Sequence, residues 1–350
     1  MKGLGDVTKA AVEWVEVGED GAGQRLDNYL LKRLKGAPQS LIYRIIRSGE
    51  VRVNKARAAA LTKLSLGDIV RVPPVRLDET KRGAGQTNAN ARPAAGQVRA
   101  GTELDILYED DALLAINKPS GLAVHGGSGV SFGVIEALRA ARPDAKFLEL
   151  VHRIDRDTSG VLLLAKKRSA LVAMHALLRE GRTDKRYYAL VKGDWPHTAK
   201  HHIRTALAKY VTDAGERRVA EAEDEDYAKD AHTIVNVVKR FGGGAQAATL
   251  VEAQIKTGRT HQIRVHLAGA GYPIAGDDKY GDFAFNKVEA KRGLKRMFLH
   301  AAKISFMHPL TDLRLRIESP LPPDCQSYLD TRYADAPHAT RPSTDHGPKI

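Results

Sequence analysis

The clearest pattern in the chain is a nine-residue, mostly polar stretch between two short apolar runs. The runs cover residues 147–151 and 161–165, and each has the length and apolarity of a buried strand. The stretch between them, residues 152–160, contains two Asp, two Arg and one His. Charged side chains are almost never fully buried unless they are paired. The pattern therefore predicts two strands that present one polar loop, here called the signature loop, although a charged hairpin loop without a further role would have the same composition.

The chain before residue 103 has a different pattern. Between residues 22 and 76 apolar positions recur at helical spacing twice, the second helix being capped by Ser40, and two short strands follow at 51–55 and 69–72. The composition then shifts to Gly, Ala, Gln, Asn and Pro, which predicts a flexible linker at 77–102. Residues 1–21 are expected to be a leader with one short strand at most, at residues 14–17.

The pattern from residue 103 to 325 alternates strands with a few helices. Strand patterns recur seven times outside the signature loop, and helices are predicted at 169–181 and from residue 260. We expect an α+β chain, in which a small two-helix domain precedes a domain with a mostly antiparallel mixed sheet flanked by helices. Residues 194–231 are expected to form a solvated insertion without a metal site, and residues 326–350 a disordered tail.

Composition and charge limit the classes of function that are compatible with the chain. The chain has 350 residues, of which 43% are hydrophobic, and no apolar run approaches the roughly 18 residues of a membrane span. The N-terminus lacks a signal-peptide pattern and there is one cysteine, so we expect a cytoplasmic protein. Residues 25–76 hold twelve Lys or Arg against three acidic residues, which is nine of the thirteen net positive charges. Such a concentration is typical of a nucleic-acid-binding module.

Three motifs of the second domain resemble one family. The signature loop reads His-Arg-Ile-Asp-Arg-Asp-Thr-Ser-Gly, which resembles the signature of the RluA-type pseudouridine synthases, with Ile154 as the conservative departure. A Lys-x-Tyr pattern falls on Lys185 and Tyr187, and an Arg-Thr-His-Gln segment begins at Arg259. These motifs, with an Asn-Lys-Pro-x-Gly segment at 117–121, span most of residues 103–325.

The resemblance implies a role for each of several residues. Asp155 matches the catalytic carboxylate, and Tyr187 the aromatic residue that stacks on the target base. Arg264 is assigned as the basic residue that pairs with Asp155, with Arg259 the less favoured candidate. Arg153 is expected to fill the gap left by a flipped base. The cleft is expected to be supported by Lys118, Arg259 and Ile263.

The basic N-terminal segment resembles the S4 RNA-binding domain. S4 domains bind structured RNA through its backbone and shape, so exposed basic side chains are expected to contact phosphates. The candidates are Arg44, Arg47, Arg52, Lys55 and Arg57. A solvated basic face without a ligand is the alternative interpretation.

Together the resemblances imply an isomerase that converts uridines of large-subunit (23S) ribosomal RNA to pseudouridine. The RNA could be free or in assembly intermediates, and the enzyme is expected to be a monomer that needs no cofactor, metal or membrane. Asp155 would act as a nucleophile or as a base on the sugar, and the sequence does not choose between them. The alternatives are a synthase of the same family acting on other rRNA or tRNA sites, a non-catalytic S4-type ribosome assembly factor, and a glycoside hydrolase, which would need two cooperating carboxylates.

Overall fold

The computed structural model describes residues 12–18, 20–34, 36–75, 104–126, 133–213, 215–222 and 227–334. The chain divides into two compact units, Met1–Arg92 and Pro93–Ile350, and each is described by itself. The predicted linker at 77–102 lies outside the described residues. No helix in the described part of the chain is both long and apolar enough to cross a membrane.

The N-terminal unit is two helices on a small sheet, as the sequence predicts. Its helices are α1 (Leu26–Arg33) and α2 (Gln39–Arg47). Its antiparallel sheet has the order β1 (Glu13–Glu16), β3 (Ile69–Val72), β2 (Arg52–Val53). The apolar faces of both helices meet one side of this sheet and form a core that includes Leu26, Leu30, Ile42, Ile45 and Val70.

Three details of this unit differ from the prediction. The one short strand allowed in the leader is present as β1, but it pairs with β3 and so belongs to the sheet of the unit that was predicted to begin at residue 22, and Val17 after it is fully buried. Helix α2 begins at Gln39 after Pro38 as its N-cap, so Ser40 lies inside the first turn and is not the cap. The strand predicted at 51–55 ends at Val53, because Asn54 and Lys55 adopt positive φ angles of 49° and 69° that turn the chain.

The C-terminal unit is built on a ten-stranded sheet. Its strands are β4 (Ile106–Glu109), β5 (Leu113–Lys118), β6 (Glu149–Leu150), β7 (Ser159–Ala165), β8 (Asp184–Lys192), β9 (His201–Ile203), β12 (Thr233–Phe241), β13 (Ala248–Ile255), β14 (Leu299–Met307) and β15 (Arg314–Glu318). They follow the order β4-β5-β7-β14-β8-β13-β12-β9, with β15 paired to β14 and β6 paired to β7. Only β7 and β14 pair in parallel among the strands that the structure describes, so the predicted mostly antiparallel mixed sheet is confirmed.

Helices and one hairpin complete this unit. Two large apolar clusters form around the alternating residues of the central strands, as expected of a sheet with both faces covered. The helices are α3 (Val134–Ala141), α4 (Arg168–Arg179), α5 (Gln262–Gly269), α6 (Phe283–Lys291) and α7 (Pro323–Ala334). A separate hairpin consists of β10 (Leu207–Val211) and β11 (Arg217–Glu221).

The segment predicted as a solvated insertion is integrated into the fold. Trp195 is buried, β9 joins the main sheet, and Val219 of the β10–β11 hairpin packs in one apolar cluster with Val265 of α5. The sequence concealed this packing because the apolar positions are separated by charged residues. The hairpin therefore packs against α5, the helix that begins at the last residue of the Arg-Thr-His-Gln motif.

The predicted tail at 326–350 is wrong for residues 326–334, which belong to α7. Tyr328 and Leu329 are buried in a cluster with Phe241 and Phe298. Arg332 is also buried, and it forms an ion pair with Glu289 of α6. The residues from 335 onwards lie outside the described part of the chain.

Helix α7 gives a stability prediction. Leu329→Ala should lower the free energy of unfolding by about 2–5 kcal/mol, since it removes a buried aliphatic side chain from a packed cluster. The matched control is Ser327→Ala, two residues away and exposed, which should change it by less than about 0.5 kcal/mol. Urea unfolding of both variants measures the difference, and equal stability for the two would mean that α7 is not packed as described.

Candidate active site

The signature loop is a tight turn held at both ends. The backbone N–H of Thr158 donates to the Asp155 carbonyl at 3.2 Å, and the imidazole Nε2 of His152 accepts from the Leu163 N–H at 3.2 Å. Burial lowers the pKa of His152 to about 4, which keeps this nitrogen unprotonated and able to accept. At the other end Gly160 has a φ of +106°, and a Cβ there would lie 2.2 Å from the Ala301 carbonyl oxygen. Only glycine lets β7 approach β14 this closely.

Lys118 ties this loop to the segment after β5. Its side chain is fully buried, and its ammonium donates to the carbonyls of Pro119, Leu122 and Arg156 at 2.8–2.9 Å. These three acceptors use all the donors of the ammonium. Burial nevertheless lowers its pKa to about 7. The expected supporting role is compatible with this position, although Lys118 reaches the loop from behind and does not line the cavity that contains Asp155.

A cavity of about 560 Å³ opens in front of the signature loop. It is bounded by the loop, by β8, by α4 and by the start of α5. Its lining contains one carboxylate, Asp155, within the part of the chain that the structure describes. The basic residues of the lining are Arg153, Arg179, Lys185, Arg259 and Arg264.

Arg264 connects Asp155 to a second carboxylate. Its guanidinium Nη1 lies 3.3 Å from Asp155 Oδ2, while Nε and Nη2 donate to the two oxygens of Asp277 at 2.7 Å each. The Arg264 side chain is 4% exposed, Asp277 is fully buried, and Asp155 is 20% exposed. Asp277 is therefore held in a bidentate pair, whereas Asp155 makes one longer contact and still faces the cavity.

Asp277 and Asp155 stabilise the positive charge of the buried Arg264 guanidinium. Burial alone would lower its pKa, but the hydrogen bonds and negative charges of Asp277 and Asp155 outweigh burial and raise it. Burial would raise the pKa of Asp277, and the Arg264 guanidinium lowers it instead. Both groups of this pair therefore stay ionised at neutral pH.

Asp277 and Tyr280 both contact Arg264, and the sequence analysis assigned a role to neither of them. The Arg264 guanidinium carbon lies 5.1 Å from the centre of the Tyr280 ring, and the Tyr280 hydroxyl accepts from the Val219 N–H of β11 at 3.0 Å. Both residues belong to a Gly-Asp-x-x-Tyr-Gly segment at 276–281. The contact of that segment with α5 depends on tertiary structure, which the sequence does not show.

Three other predicted site residues also lie at the cavity. Ile263 is buried in the cavity wall, Arg153 is exposed at the cavity, and Arg259 also lines it. The Arg259 Nε donates to the Asp230 carbonyl at 2.9 Å, and among the described contacts none joins Arg259 to Asp155. The geometry thus favours Arg264 over Arg259 as the partner of Asp155.

Tyr187 and Tyr188 point to opposite faces of β8, as strand alternation predicts. Tyr187 lines the cavity, and Tyr188 packs on a different apolar cluster with Leu321. Burial raises the pKa of the Tyr187 phenol, and the charge of Asp155 adds to the effect. Tyr187 therefore presents a neutral aromatic ring beside the carboxylate.

Lys185 lies on the same face of β8 as Tyr187 and also lines the cavity. Its side chain is 8% exposed, and no carboxylate or carbonyl partner is recorded for its ammonium among the described residues. Burial lowers its pKa to about 8. The sequence analysis saw this lysine in the Lys-x-Tyr pattern but assigned a role only to the tyrosine.

A second cavity of about 810 Å³ lies on the other side of the signature loop. Its lining includes Lys118, Arg156, Asp157 and Arg296, but neither Asp155 nor Tyr187. The side chain of Asp157 pairs with Arg156, and its carbonyl accepts from the Ser120 hydroxyl at 2.7 Å. Asp155 and Asp157, two residues apart, therefore face different cavities.

The five predicted RNA contacts of the N-terminal unit are all exposed. Arg44 and Arg47 lie on α2, and Arg52, Lys55 and Arg57 lie on or after β2. No ion pair with a carboxylate is recorded for any of them within the described ranges. Their charges are available to an anionic partner, and their role stays a prediction.

Comparisons with known proteins identify the family. The family model described as RNA pseudouridylate synthase matches residues 112–269, and the model of the S4 domain matches residues 24–70. The chain is 53% identical over 323 residues to "Ribosomal large subunit pseudouridine synthase C" of Pasteurella multocida, covering 92% of this chain and 94% of that protein. The protein of the same name from Escherichia coli K12 is 51% identical, with coverage of 89% and 93%.

The solved structures agree with these matches. Human RNA Pseudouridylate Synthase Domain Containing 4 superposes with a TM-score of 0.52 and 27% identity, covering 65% of this chain and 93% of that one. Human RNA Pseudouridylate Synthase Domain Containing 1 shares the fold with a TM-score of 0.55 at 23% identity, covering 73% and 95%. The chain belongs to the RNA pseudouridylate synthase family and carries an N-terminal S4 domain. It is a pseudouridine synthase, an isomerase, as the sequence motifs predict.

Because the ammonium of Lys185 is buried, removing its charge should increase the stability of the protein. Lys185→Met should raise the free energy of unfolding at pH 7 by about 1–3 kcal/mol, because the native state then no longer buries an unpaired charge. Below pH 8 the ammonium is charged in both states and the full cost remains. Between pH 8 and the unfolded value of 10.5 the native state loses its proton first, so native stability rises and the advantage of the variant disappears.

Urea unfolding of both proteins at pH 7 and pH 10 measures this effect. Lys192→Met is the matched control on the same strand, where an ion pair with Asp282 holds the ammonium. That variant should be no more stable than the native chain. A Lys185→Met protein less stable than the native one at pH 7 would mean that the ammonium has a stabilising partner.

Proposed function

We propose that this enzyme converts specific uridines of large-subunit (23S) ribosomal RNA to pseudouridine, with Asp155 as the catalytic carboxylate. The relatives that share about half of its residues over nine tenths of its length carry the name of a ribosomal large-subunit synthase. The proposed substrate is rRNA, free or in assembly intermediates, and the proposed location is the cytoplasm, where the enzyme would act as a monomer.

The observation that carries the catalytic assignment is the single carboxylate of the cavity. Asp155 is the acidic residue of the described lining, and Arg264 contacts it from behind. A glycoside hydrolase needs two carboxylates on either side of the sugar bond. Two other carboxylates lie near Arg264. Asp277 is fully buried and holds the guanidinium with both oxygens, so it cannot reach a substrate. Asp278 lies 3.5 Å from Arg264 Nη2, but it lines the second cavity and not the one that contains Asp155.

The reaction breaks the bond between uracil N1 and the ribose C1′, rotates the base and rejoins it through C5. The target uridine must first leave its stack, at a cost of a few kcal/mol. Stacking on the Tyr187 ring offsets part of this cost and is worth about 1–3 kcal/mol. We propose that Arg153, exposed at the cavity, fills the gap that the flipped base leaves.

The S4 domain supplies affinity for the RNA. Its exposed guanidinium and ammonium groups at residues 44, 47, 52, 55 and 57 carry charge that phosphates would neutralise. Each such contact releases condensed counterions, so binding should weaken as salt increases.

Incubation with rRNA tritiated at C5 of uridine tests the proposal. Release of tritium to water marks the isomerisation, because C5 exchanges its hydrogen for the bond to C1′. Binding without release would identify a non-catalytic RNA-binding factor, and free uracil would identify a hydrolase. Mapping of the modified positions, with tRNA as a competing substrate, decides between large-subunit rRNA and other RNA.

The two tyrosines of β8 provide a matched pair. Tyr187→Ala should reduce single-turnover tritium release by about 5- to 150-fold, since the lost stacking is worth about 1–3 kcal/mol. Tyr188→Ala removes the same ring from the opposite face and should retain turnover in proportion to its folded fraction. Equal losses, or a larger loss for Tyr188→Ala, would reverse the assignment.

A further inference from the structure

The outer face of the S4-domain sheet carries one aromatic side chain in line with two arginines. In the strand register Trp14 of β1 lies opposite Arg71 of β3, and Arg71 lies opposite Arg52 of β2. Directly opposite residues of neighbouring strands have Cβ atoms about 4.5–5.5 Å apart. The alternate row, Val15 and Val53 around Val70, faces the apolar core.

These three side chains line a cavity on the surface of the domain. The cavity has a volume of about 410 Å³ and is completed by Lys55 and the turn at 48–50. Its size lies within the roughly 300–1,000 Å³ that small-ligand sites occupy. The Trp14 side chain is 54% exposed, although tryptophan is on average a highly buried residue.

The charges of the cavity are positive and fixed in orientation. The Arg71 guanidinium donates to the Glu50 carbonyl, and the Arg52 Nη1 donates to the Lys55 carbonyl at 3.2 Å. These acceptors orient the arginines without neutralising them. The carboxylate of the lining, that of Glu50, accepts from the Ser48 hydroxyl at 2.7 Å. Three cations therefore face one anion around an exposed indole.

We propose that this cavity binds one unpaired nucleotide of the RNA, with the base stacked on Trp14 and the adjacent phosphates held by Arg52, Arg71 and Lys55. An aromatic ring can stack only on a base whose face is free, which selects single-stranded or looped segments over a continuous duplex. The phosphates of such a segment need fixed cations beside the ring. The proposal rests on an RNA substrate and adds a binding site for an unpaired nucleotide at residues 14 and 71, which the sequence analysis did not include.

The chain contains two tryptophans, which makes the site directly observable. Trp195 is 1% exposed in the C-terminal unit, whereas Trp14 is exposed in the S4 domain. Titration of the full-length protein with a short single-stranded oligouridylate should quench the Trp14 emission, because a stacked base quenches an indole. Trp14→Phe should abolish this change and leave the Trp195 emission unaltered. Heparin, a polyanion without bases, should bind without the same quenching.

Affinity and its salt dependence separate stacking from charge. Trp14→Ala should weaken oligouridylate binding by about 5- to 150-fold without changing the slope of log affinity against log salt. Arg71→Gln should reduce that slope by about 0.7, the loss of one single-strand phosphate contact. Leu66→Ala, which removes an exposed side chain outside the cavity of the same domain, is the control and should behave as the native protein.

The outcomes also separate this site from the catalytic proposal. Native affinity for Trp14→Ala, or equal quenching by heparin, overturns the nucleotide site even if tritium release from rRNA is normal. Quenching by oligouridylate that depends on Trp14 supports the site even if the rRNA assay releases no tritium.

Discussion

The site depends on the unequal way in which Arg264 pairs with the buried Asp277 and with Asp155, while its third carboxylate neighbour, Asp278, is 3.5 Å away and mostly exposed. A guanidinium stays protonated in proteins, so one that is only 4% exposed needs compensation for its buried charge, and an unpaired buried charge would cost about 3–5 kcal/mol. Asp277 provides the compensation through two contacts of 2.7 Å. Asp155 then needs to supply only one contact of 3.3 Å, and it keeps an open side towards the cavity. Asp155, the proposed nucleophile or base, is thereby oriented while one side of its carboxylate stays open to the cavity.

Three segments that are distant in sequence must meet for this arrangement to form. The signature loop brings Asp155, the first turn of α5 brings Arg264, and the turn at 276–280 brings Asp277 and the ring that packs on the guanidinium. Gly276 allows the last turn, since its φ is +76° and a Cβ would lie 2.2 Å from the Arg296 carbonyl oxygen. The buried Gln262 fixes the start of α5 by donating to the His232 carbonyl and the Thr233 hydroxyl. These contacts place the charges of Arg264, Asp277 and Asp155 before a substrate binds.

The sequence predicted the parts of this site that depend on neighbouring residues, and it did not predict the parts that depend on tertiary contacts. The signature loop stands between two apolar runs, so its place between β6 and β7 followed from pattern alone, and strand alternation separated Tyr187 from Tyr188. The contact between Asp277 and Arg264 could not be predicted, because the sequence does not show which arginine a carboxylate will meet in the folded chain. Helix α7 was missed for a similar reason. Its buried positions include Arg332, which reads as polar until its partner Glu289 is known.

The N-terminal strand illustrates another limit. Four residues with two acids give little periodicity, and β1 becomes a strand only because β3 offers it a complementary edge. The sequence analysis allowed one short strand in the leader, but it began the RNA-binding domain at residue 22 and so gave Trp14 no place in that domain. Weak local preference combined with strong tertiary pairing is the case in which a single sequence does not show where a domain begins.

Comparison of Asp155→Asn with Asp157→Asn tests the account most directly. Both substitutions remove one negative charge and preserve size, but the two side chains face different cavities. Single-turnover tritium release from rRNA, measured with folded proteins of equal RNA affinity, should be abolished by Asp155→Asn and nearly unchanged by Asp157→Asn. Pseudouridine formed by Asp155→Asn at a rate near that of the native enzyme would contradict the assignment of the catalytic carboxylate.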